Sequence, residues 1–243
     1  MDITKYAILK KLAGGGGGGG DHADEDAIVS GTITEYTNDR VTSIGNYAFY
    51  QCTSLTSVDF PAATSIGDHA FNKCTSLTSV DFTAATSIGI YAFAYCSNLT
   101  SANLPAVTSI GDYAFRNCSN LTLANLPAVT SIGNSVFYFC TSLTSANLPA
   151  VTSIETSAFQ GCSQLTSLIL RVTTQVCTLS SANAFGNTPI ASGTGYIYVP
   201  AALIDSYKTA TNWTTYANQF RALESYTADG TTTGELDPTK VNA

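Results

Sequence analysis

The sequence contains little charge and few of the basic residues that bind anions. Charged residues make up 11% of the 243-residue chain, against roughly 25% in typical soluble domains. Ten Lys and Arg stand against 17 Asp and Glu, and the formal net charge is −7. Nucleic acids and anionic membrane surfaces are bound by surfaces rich in Lys and Arg. The shortage therefore argues against both as partners.

Histidine is equally scarce, with His22 and His69 as its two representatives. Their separation in the sequence argues against a Ser-His-Asp or Cys-His catalytic arrangement and against a zinc site. The glycine run has no Lys-Ser or Lys-Thr pair after it, which argues against a phosphate-binding loop. We therefore expect no enzyme, with no catalytic residue, no metal and no cofactor.

Long apolar runs are also missing. None approaches the ~20 residues that span a bilayer, so we expect no membrane insertion. The first residues lack the basic start of a signal peptide, and Lys10 and Lys11 interrupt their apolar stretch. No signal peptide is visible in the sequence.

The chain does contain a 22-residue unit that occurs six times, over residues 41–170. Four apolar positions recur in every unit, as shown by Ile66, Phe71, Cys74 and Leu77 in the second one. A period of this length is the signature of a solenoid, whose stacked units share one continuous core. Solenoids usually present an extended binding surface.

Each unit is predicted to form a short strand, here over residues 55–60. Alternation directs Val58 and Phe60 into the core and leaves Ser57 and Asp59 outside. A turn follows, for which we expect Gly67 and its equivalents to supply a positive φ.

After this glycine, a short helical or 3₁₀ turn over residues 68–71 is expected to bring Phe71 into the core. Six of the seven cysteines recur at one position of the unit. We expect these six to pack as reduced, buried thiols. Cys177 lies outside this ladder, and the sequence leaves its redox state open.

The regions that flank the array differ from it in composition. Residues 1–13 have weak helical character and are read either as a docking segment or as a disordered tail. Phe185 resembles the Phe of the repeats, which extends the pattern beyond the array. The predicted regions are a docking segment over 1–13, a polyglycine linker over 14–20, an N-terminal cap over 21–40, six repeats over 41–170, an irregular last repeat with a C-terminal cap over 171–225, and a flexible tail over 226–243.

The units resemble the BspA-type leucine-rich repeat, which pairs an Ile-Gly-x-x-Ala-Phe-x-x-Cys turn with a Leu-x-x-Val/Ala-x-Leu-Pro strand. In the second unit this pattern is carried by Gly67, Ala70, Phe71, Cys74, Leu77 and Val80. The resemblance implies an α/β-type repeat solenoid, a leucine-rich-repeat horseshoe with a parallel concave sheet, short strands, 3₁₀ or helical turns and a C-terminal helical cap. It also implies a surface or secreted protein that binds host proteins, other cells or glycans.

Two surfaces are candidate ligand sites. One is the outward column of the strands, expected on the concave side, which is alternatively a ladder of self-satisfying hydrogen bonds. The other is the turn, where the units differ most and where aromatic side chains could anchor a partner, or simply pack between coils. The candidate residues are Asp59, Asp81, Asn103, Asn125 and Asn147 in the column, and Tyr50, Tyr95 and Tyr138 in the turn.

We therefore expect a non-enzymatic, adhesin-like binding module that is displayed on a cell surface or secreted. Its ligand would be a host protein, another cell surface or a glycan, bound by the solenoid surface. The alternative is a structural or receptor-binding component of a phage or prophage tail. In that case residues 1–13 would dock onto the particle, and the protein would reside there.

Overall fold

The computed structural model describes residues 34–223, which form a stack of coils. Each coil contains two short strands joined by turns, and each lies directly on the next coil. The predicted docking segment, the polyglycine linker and the flexible tail lie outside the described residues, as does most of the region predicted as the N-terminal cap.

Most first strands of the coils pair in parallel with the equivalent strand one repeat further along. Ser79 lies opposite Ser101, and Asp81 lies opposite Asn103. Val80 points into the core while its two neighbours face solvent, as the alternation predicted. We call this row of strands the first sheet, and its ladder pairing is interrupted after Ser57–Asp59 and after Leu123–Asn125. Its strands are β1 (Glu35–Thr37), β3 (Ser57–Asp59), β5 (Ser79–Asp81), β7 (Ser101–Asn103), β9 (Leu123–Asn125), β11 (Ser145–Leu148), β13 (Ser167–Leu170), β15 (Tyr196–Val199) and β16 (Phe220–Ala222).

A second row of strands, which was not predicted from the sequence, runs along another side of the coils, and we call it the second sheet. Its ladder pairing is interrupted once, between Ser109–Ile110 and Ser131–Ile132. Its strands are two residues long, too short for an alternating pattern to be recognised. In β4, Ile66 is buried and Ser65 lies at the surface. The strands are β2 (Ser43–Ile44), β4 (Ser65–Ile66), β6 (Ser87–Ile88), β8 (Ser109–Ile110), β10 (Ser131–Ile132), β12 (Ser153–Ile154) and β14 (Thr178–Leu179).

Gly67 follows this second strand, and the positive φ predicted for it is wrong. Among the described residues, the glycines with positive φ are Gly161 and Gly193. A Cβ on Gly67 would lie 2.5–2.7 Å from atoms of Asn46 and Gly45 in the preceding coil. Glycine is required because two backbones approach too closely for a side chain to fit.

The turn after Gly67 is a series of i→i+3 hydrogen bonds, not a continuous 3₁₀ helix. The Ala70 N–H donates to the Gly67 carbonyl at 3.3 Å, and the Asn72 N–H donates to the His69 carbonyl at 3.2 Å. His69 and Lys73 adopt left-handed backbone, with φ of 55° and 64°. These two residues interrupt the helical geometry, and the equivalent positions do so in every repeat.

The core is a column of stacked Phe rings with a column of thiols beside it. From Phe49 to Phe185, consecutive rings are nearly parallel, with centroids 5.0–5.6 Å apart. The Cys74 Sγ donates to the Phe49 carbonyl at 3.0 Å, and four later ladder cysteines make the same bond. All seven cysteines are free thiols in the structure.

The C-terminal region closes the stack with contacts that occur once. The Trp213 Nε1 donates to the Cys177 carbonyl at 2.6 Å, and the Tyr207 hydroxyl accepts from the Cys177 N–H at 2.9 Å. Strand β16, predicted as part of the terminal helices, instead adds to the first sheet beside β15. Among the described residues, the helices are the 3₁₀ helices Ala182–Phe185, Ala201–Leu203 and Trp213–Tyr216 and the α-helices Pro189–Ser192 and Ile204–Thr209.

Candidate binding surfaces

The outward column of the first sheet is hydrogen-bonded along much of its length. The Asn103 Nδ2 donates to the Asp81 Oδ1 at 2.9 Å, and the Asn125 Nδ2 donates to the Asn103 Oδ1 at 2.9 Å. The Asn147 Oδ1 accepts from the Arg171 Nε at 3.4 Å. Asp59 is exposed at the other end. This is the ladder that the sequence offered as the alternative reading, and ligand binding by the column stays a prediction.

On the turn side, the two left-handed positions of each coil form two further columns. Left-handed backbone costs residues other than Gly about 1–2 kcal/mol, with Asn the best tolerated of them. Most of these positions nevertheless carry larger side chains. The first column holds Tyr47, His69, Tyr91, Tyr113, Ser135 and Ser157, and the second holds Gln51, Lys73, Tyr95, Asn117, Phe139 and Gly161.

Rings of the first column stack on one another along the solenoid. The centroid distances are 4.6 Å from Tyr47 to His69, 5.0 Å from His69 to Tyr91 and 4.5 Å from Tyr91 to Tyr113. The Asn72 Nδ2 donates to the His69 Nδ1 at 3.1 Å. His69 was considered from the sequence for catalysis and for a zinc site, and in the structure it is one ring of this stack.

The stack continues past Tyr113 through a cation. The Arg116 guanidinium lies 4.6 Å from the ring centroid of Tyr138 and 5.8 Å from that of Tyr113. Tyr138 in turn contacts Phe139, at 4.7 Å between centroids. We call this continuous series the ring tract. Its members are Tyr47, His69, Tyr91, Tyr113, Arg116, Tyr138 and Phe139.

The second left-handed column lines a shallow groove of about 570 Å³. Tyr95 supplies a ring that is 38% exposed, and Lys73 supplies an exposed ammonium group. Amide and hydroxyl groups complete the lining, so the groove can accept and donate hydrogen bonds. Its residues are Gln51, Thr53, Lys73, Thr75, Tyr95, Ser97, Asn117 and Ser119.

The three predicted turn aromatics share this side but not one pocket. Tyr50 lies at the first coil, where its hydroxyl accepts from the Gln51 Nε2 at 3.3 Å. Tyr95 lines the groove, and Tyr138 lies in the ring tract. Tyr50 and Tyr138 occupy the same position of the repeat, and Tyr95 occupies the position after it. Ligand binding by these three residues stays a prediction.

No three His, Cys, Asp or Glu side chains among residues 34–223 are grouped so that they could hold a metal ion. Over that range, every helix is too short or too polar to cross a bilayer.

Among solved structures, the chain is similar to leucine-rich repeat proteins of bacteria. The Leucine Rich Repeat protein of T. pallidum is 32% identical, with a TM-score of 0.52, over 55% of this chain and 65% of that chain. A leucine-rich repeat protein from Bacteroides ovatus is 23% identical, with a TM-score of 0.47, over 69% of this chain and 55% of that one. The matched part thus spans less than two thirds of either relative. No curated protein matches the chain.

The repeat itself identifies the family. The model of the BspA type leucine rich repeat region matches in six copies, over residues 32–127 and 86–199. Proteins with such repeats are generally non-enzymatic binding scaffolds, and they are typically surface or secreted bacterial proteins. The match extends over more than half of the chain and confirms the resemblance read from the sequence: this chain belongs to the BspA-type leucine-rich repeat family.

Proposed function

We propose that this chain is a non-enzymatic binding module, displayed on a cell surface or secreted, that recognises a ligand on a host or another cell through its turn side. The observation that carries the proposal is the set of large side chains held at left-handed positions. Glycine or asparagine would make the same turns with less strain. Ligand binding by this surface would explain why rings and charged groups occupy these positions.

The ring tract is suited to binding because its members are already ordered. Association usually costs about 0.5–1.5 kcal/mol for each flexible side chain that becomes fixed. Tyr91 and Tyr113 are stacked at 4.5 Å before any partner arrives, so most of that cost is already met in folding. Tyrosine and arginine are also the residue types that dominate binding hot spots.

The groove beside the tract supplies selectivity. Equivalent positions of four successive coils hold Gln51, Lys73, Tyr95 and Asn117, which differ in charge, shape and hydrogen-bonding capacity. A repeating ligand would meet a different group at each coil. A ligand of varied composition, with an acidic group near Lys73, fits this arrangement better.

A protein is the favoured ligand, with a glycan as the alternative. Sugars commonly stack on free ring faces, but the faces of His69 and Tyr91 are covered by their neighbours in the tract. The stacked rings offer their edges to the surface, together with the hydroxyls of the tyrosines. Edges and hydroxyls suit the mixed apolar and polar surface of a polypeptide.

The test replaces each predicted turn aromatic with the residue that the next coil holds at the same position. The triple variant Tyr50→Asn, Tyr95→Asn and Tyr138→Gln keeps the turn geometry that Asn72, Asn117 and Gln160 already adopt. Binding of the labelled full chain to intact epithelial cells is measured by flow cytometry at nanomolar concentration. We expect saturable binding that protease treatment of the cells abolishes and that the triple variant weakens at least about tenfold.

The matched control is the strand-side pair Asn103→Ala with Asn125→Ala, which should bind like the parent chain. Loss of binding in this pair, with binding by the triple variant unchanged, would show that the ligand binds to the outward column of the first sheet. Binding that resists protease but disappears after glycosidase treatment, with matching spots on a glycan array, would make the ligand a glycan.

A further inference from the structure

The groove on the turn side runs along the solenoid, so a ligand that lies in it crosses one coil after another. Neighbouring coils are joined here by backbone hydrogen bonds. The Lys73 N–H donates to the Ala94 carbonyl at 2.8 Å, and the Asn117 N–H donates to the Tyr138 carbonyl at 2.8 Å. Chains joined in this way lie about 4.8 Å apart, in agreement with the 4.5–5.0 Å between stacked rings of the ring tract. The groove therefore presents a new set of side chains at each step of this length.

Lys73 is the charged group of the groove. No Asp or Glu is among the groove's lining residues. The Lys73 side chain is exposed, and within residues 34–223 its ammonium group makes no ion pair. A chain with a net charge of −7 thus has a groove in which one cation is surrounded by neutral groups. An acidic group of a ligand is attracted to this position by charge complementarity.

Hydroxyl groups form a row along the groove, one in each coil. Elsewhere on the solenoid, threonine hydroxyls donate to the preceding coil, as from Thr78 to the Thr56 carbonyl at 3.2 Å. Among the described residues, the hydroxyls of Thr53, Thr75 and Ser97 form no such bond. They remain available to the N–H and carbonyl groups of a bound polypeptide, which need hydrogen-bonding partners where they lose contact with water.

An exposed aromatic ring lies just beyond the end of the groove. Phe139 follows Asn117 in the second left-handed column and is 39% exposed. A Cβ on Gly161 would lie 2.7–3.0 Å from atoms of this ring, so the ring lies over the glycine of the next coil. Tyr138 contacts it at 4.7 Å between centroids. An apolar side chain that reaches this ring from the groove lies level with the coil of Phe139, three coils beyond Lys73.

The separation of these two positions favours one ligand geometry. Three coils span about 14 Å, and an extended polypeptide advances about 3.3 Å per residue with every second side chain on the same face. Residues i and i+4 of such a chain share a face and lie about 13 Å apart, which matches the three coils. Residues i+3 and i+5 point to the other face. In an α-helix, residues four apart are separated by only about 6 Å.

We propose that the groove binds an extended polypeptide segment along the solenoid, with an acidic side chain at Lys73 and an apolar side chain at Phe139, four residues apart in the ligand. The side chain midway between them faces Tyr95 and Asn117, and the two remaining side chains point away from the groove. Either chain direction satisfies the spacing, so the acidic and apolar residues occur in either order. This ligand class rests on the proposed function, in which the turn side is the binding surface.

Peptide selection tests the spacing directly. A phage-displayed library of random linear peptides is selected on the immobilised full chain and, in parallel, on the double variant Lys73→Gln with Phe139→Asn. Gln51 and Asn117 occupy these positions in other coils with the same left-handed backbone, so the variant keeps the turns.

On the parent chain we expect acid–apolar pairs at a spacing of four to be enriched at least about tenfold over pairs at three or five. The double variant should show no such preference. Equal enrichment at all spacings would overturn the proposal, and so would a parent chain that enriches no peptide beyond those found on the variant.

Fluorescence anisotropy with a selected, labelled peptide assigns each end of the segment. Lys73→Gln and Phe139→Asn should each weaken binding about tenfold. Moving the acidic residue of the peptide by one position should weaken binding as much as Lys73→Gln, because the carboxylate then points away from the groove. Lys73→Glu should in turn bind a peptide whose acidic residue is replaced by lysine. Unchanged affinity for the shifted peptide would refute the extended geometry.

The matched control is Asp81→Asn on the first sheet, where Asn103 holds the same position in the next coil. It changes the charge of the chain by the same amount as Lys73→Gln and should leave peptide affinity unaltered. An effect equal to that of Lys73→Gln would mean that net charge, and not an acidic side chain seated at Lys73, governs binding.

Failure of this inference can be told apart from failure of the proposed function. Cell binding that the triple tyrosine variant weakens, but that Lys73→Gln and Phe139→Asn leave unchanged, would keep the turn-side module and refute the groove assignment. Selected peptides with the expected spacing, together with no saturable binding to cells, would keep the groove assignment and refute the cell-surface ligand.

Discussion

The repeat array and the C-terminal region complete their coils in different ways. In the array each coil meets a near copy of itself, so one contact serves many times, as when the Thr86 hydroxyl donates to the Thr64 carbonyl at 3.2 Å. In the C-terminal region, contacts such as that of Trp213 with Cys177 and that of Tyr216 with the Ala182 carbonyl occur once. Successive coils can thus stack with the same residues in each repeat. The last coil, in contrast, is covered by side chains whose contacts occur nowhere else in the stack.

The physical reason lies in what the last coil leaves uncovered. A repeat unit buries its apolar stripe only against a neighbour, so a terminal unit needs a different cover. Phe185 is the last ring of the core column, and Trp213 and Tyr216 pack against it at 5.9 and 5.5 Å between centroids. Trp213 and Tyr216 therefore cover Phe185 in the same way that the next Phe covers each earlier ring of the column.

The largest expected effect comes from breaking the array at its centre. Phe115 is fully buried between Phe93 and Phe137. Phe115→Ala removes a ring from the column and should lower the free energy of unfolding by about 3–5 kcal/mol. Because coils couple to their nearest neighbours, urea unfolding followed by circular dichroism should split into two transitions.

The control for this prediction is Tyr113→Ser, which removes a ring from the surface two residues away. Ser135 already fills this position in the next coil, so the loss should be within about 1 kcal/mol. A single transition for Phe115→Ala, with a loss no greater than that of Tyr113→Ser, would show that the ring column does not transmit stability.

A smaller effect, confined to one end, is expected from Trp213→Phe. The variant keeps an aromatic ring but leaves the buried Cys177 carbonyl without its donor, at a cost of about 1–3 kcal/mol. Hydrogen exchange should quicken at the amides of residues 177–185 and stay unchanged at the amides of the second and third repeats. Faster exchange throughout the array would mean that the C-terminal region determines the stability of the whole stack.

The smallest effect on stability at neutral pH is expected from the thiols, which occur both in the repeat array and in the C-terminal region. Burial raises the pKa of Cys52 to about 11, and that of Cys96, Cys162 and Cys177 to about 12, from 9.0 in exposed thiols. A pKa raised by folding contributes stability fully below pH 9, and that contribution is lost as the pH climbs towards 11 and 12.

Stability to urea should accordingly be flat from pH 7 to about 9 and fall above it. Thiol labelling of the native chain at pH 8, followed by peptide mass analysis, should modify Cys52 first, because it is the half-buried member of the ladder. Early labelling of Cys118 or Cys177 instead would show that the stack opens locally at those coils.

Much of the fold was predictable because the same apolar positions recur in all six repeats. Ile66, Phe71, Cys74 and Leu77 are buried as expected, and so are nearly all of their equivalents. The second sheet escaped prediction because two-residue strands leave no alternation to detect. Strand β16 was missed because Phe220 fits a helical face and a strand face equally well in the sequence.

The candidate surfaces were only partly predictable. Fixed spacing predicted that Tyr50 and Tyr138, at one position of the repeat, lie on the same side of the solenoid as Tyr95, at the next position. It gave no sign that His69 stacks between Tyr47 and Tyr91, since that depends on left-handed backbone at His69. The role of Gly67 was misjudged for a similar reason: the close approach of Asn46 is a property of stacked coils and not of one turn.

The sequence by itself determined the stack and its register. Equivalent apolar residues recur every 22 residues. They are buried together when each coil lies in register with the next, as Ile66 does with Ile88 and Val80 with Ala102. The tertiary structure alone decided which polar groups satisfy one another, as in the Asp81–Asn103–Asn125 ladder, and which groups face solvent. The reason is that burial depends on composition repeated along the chain, whereas hydrogen bonds and ring stacking depend on distances that exist only once the coils lie on each other.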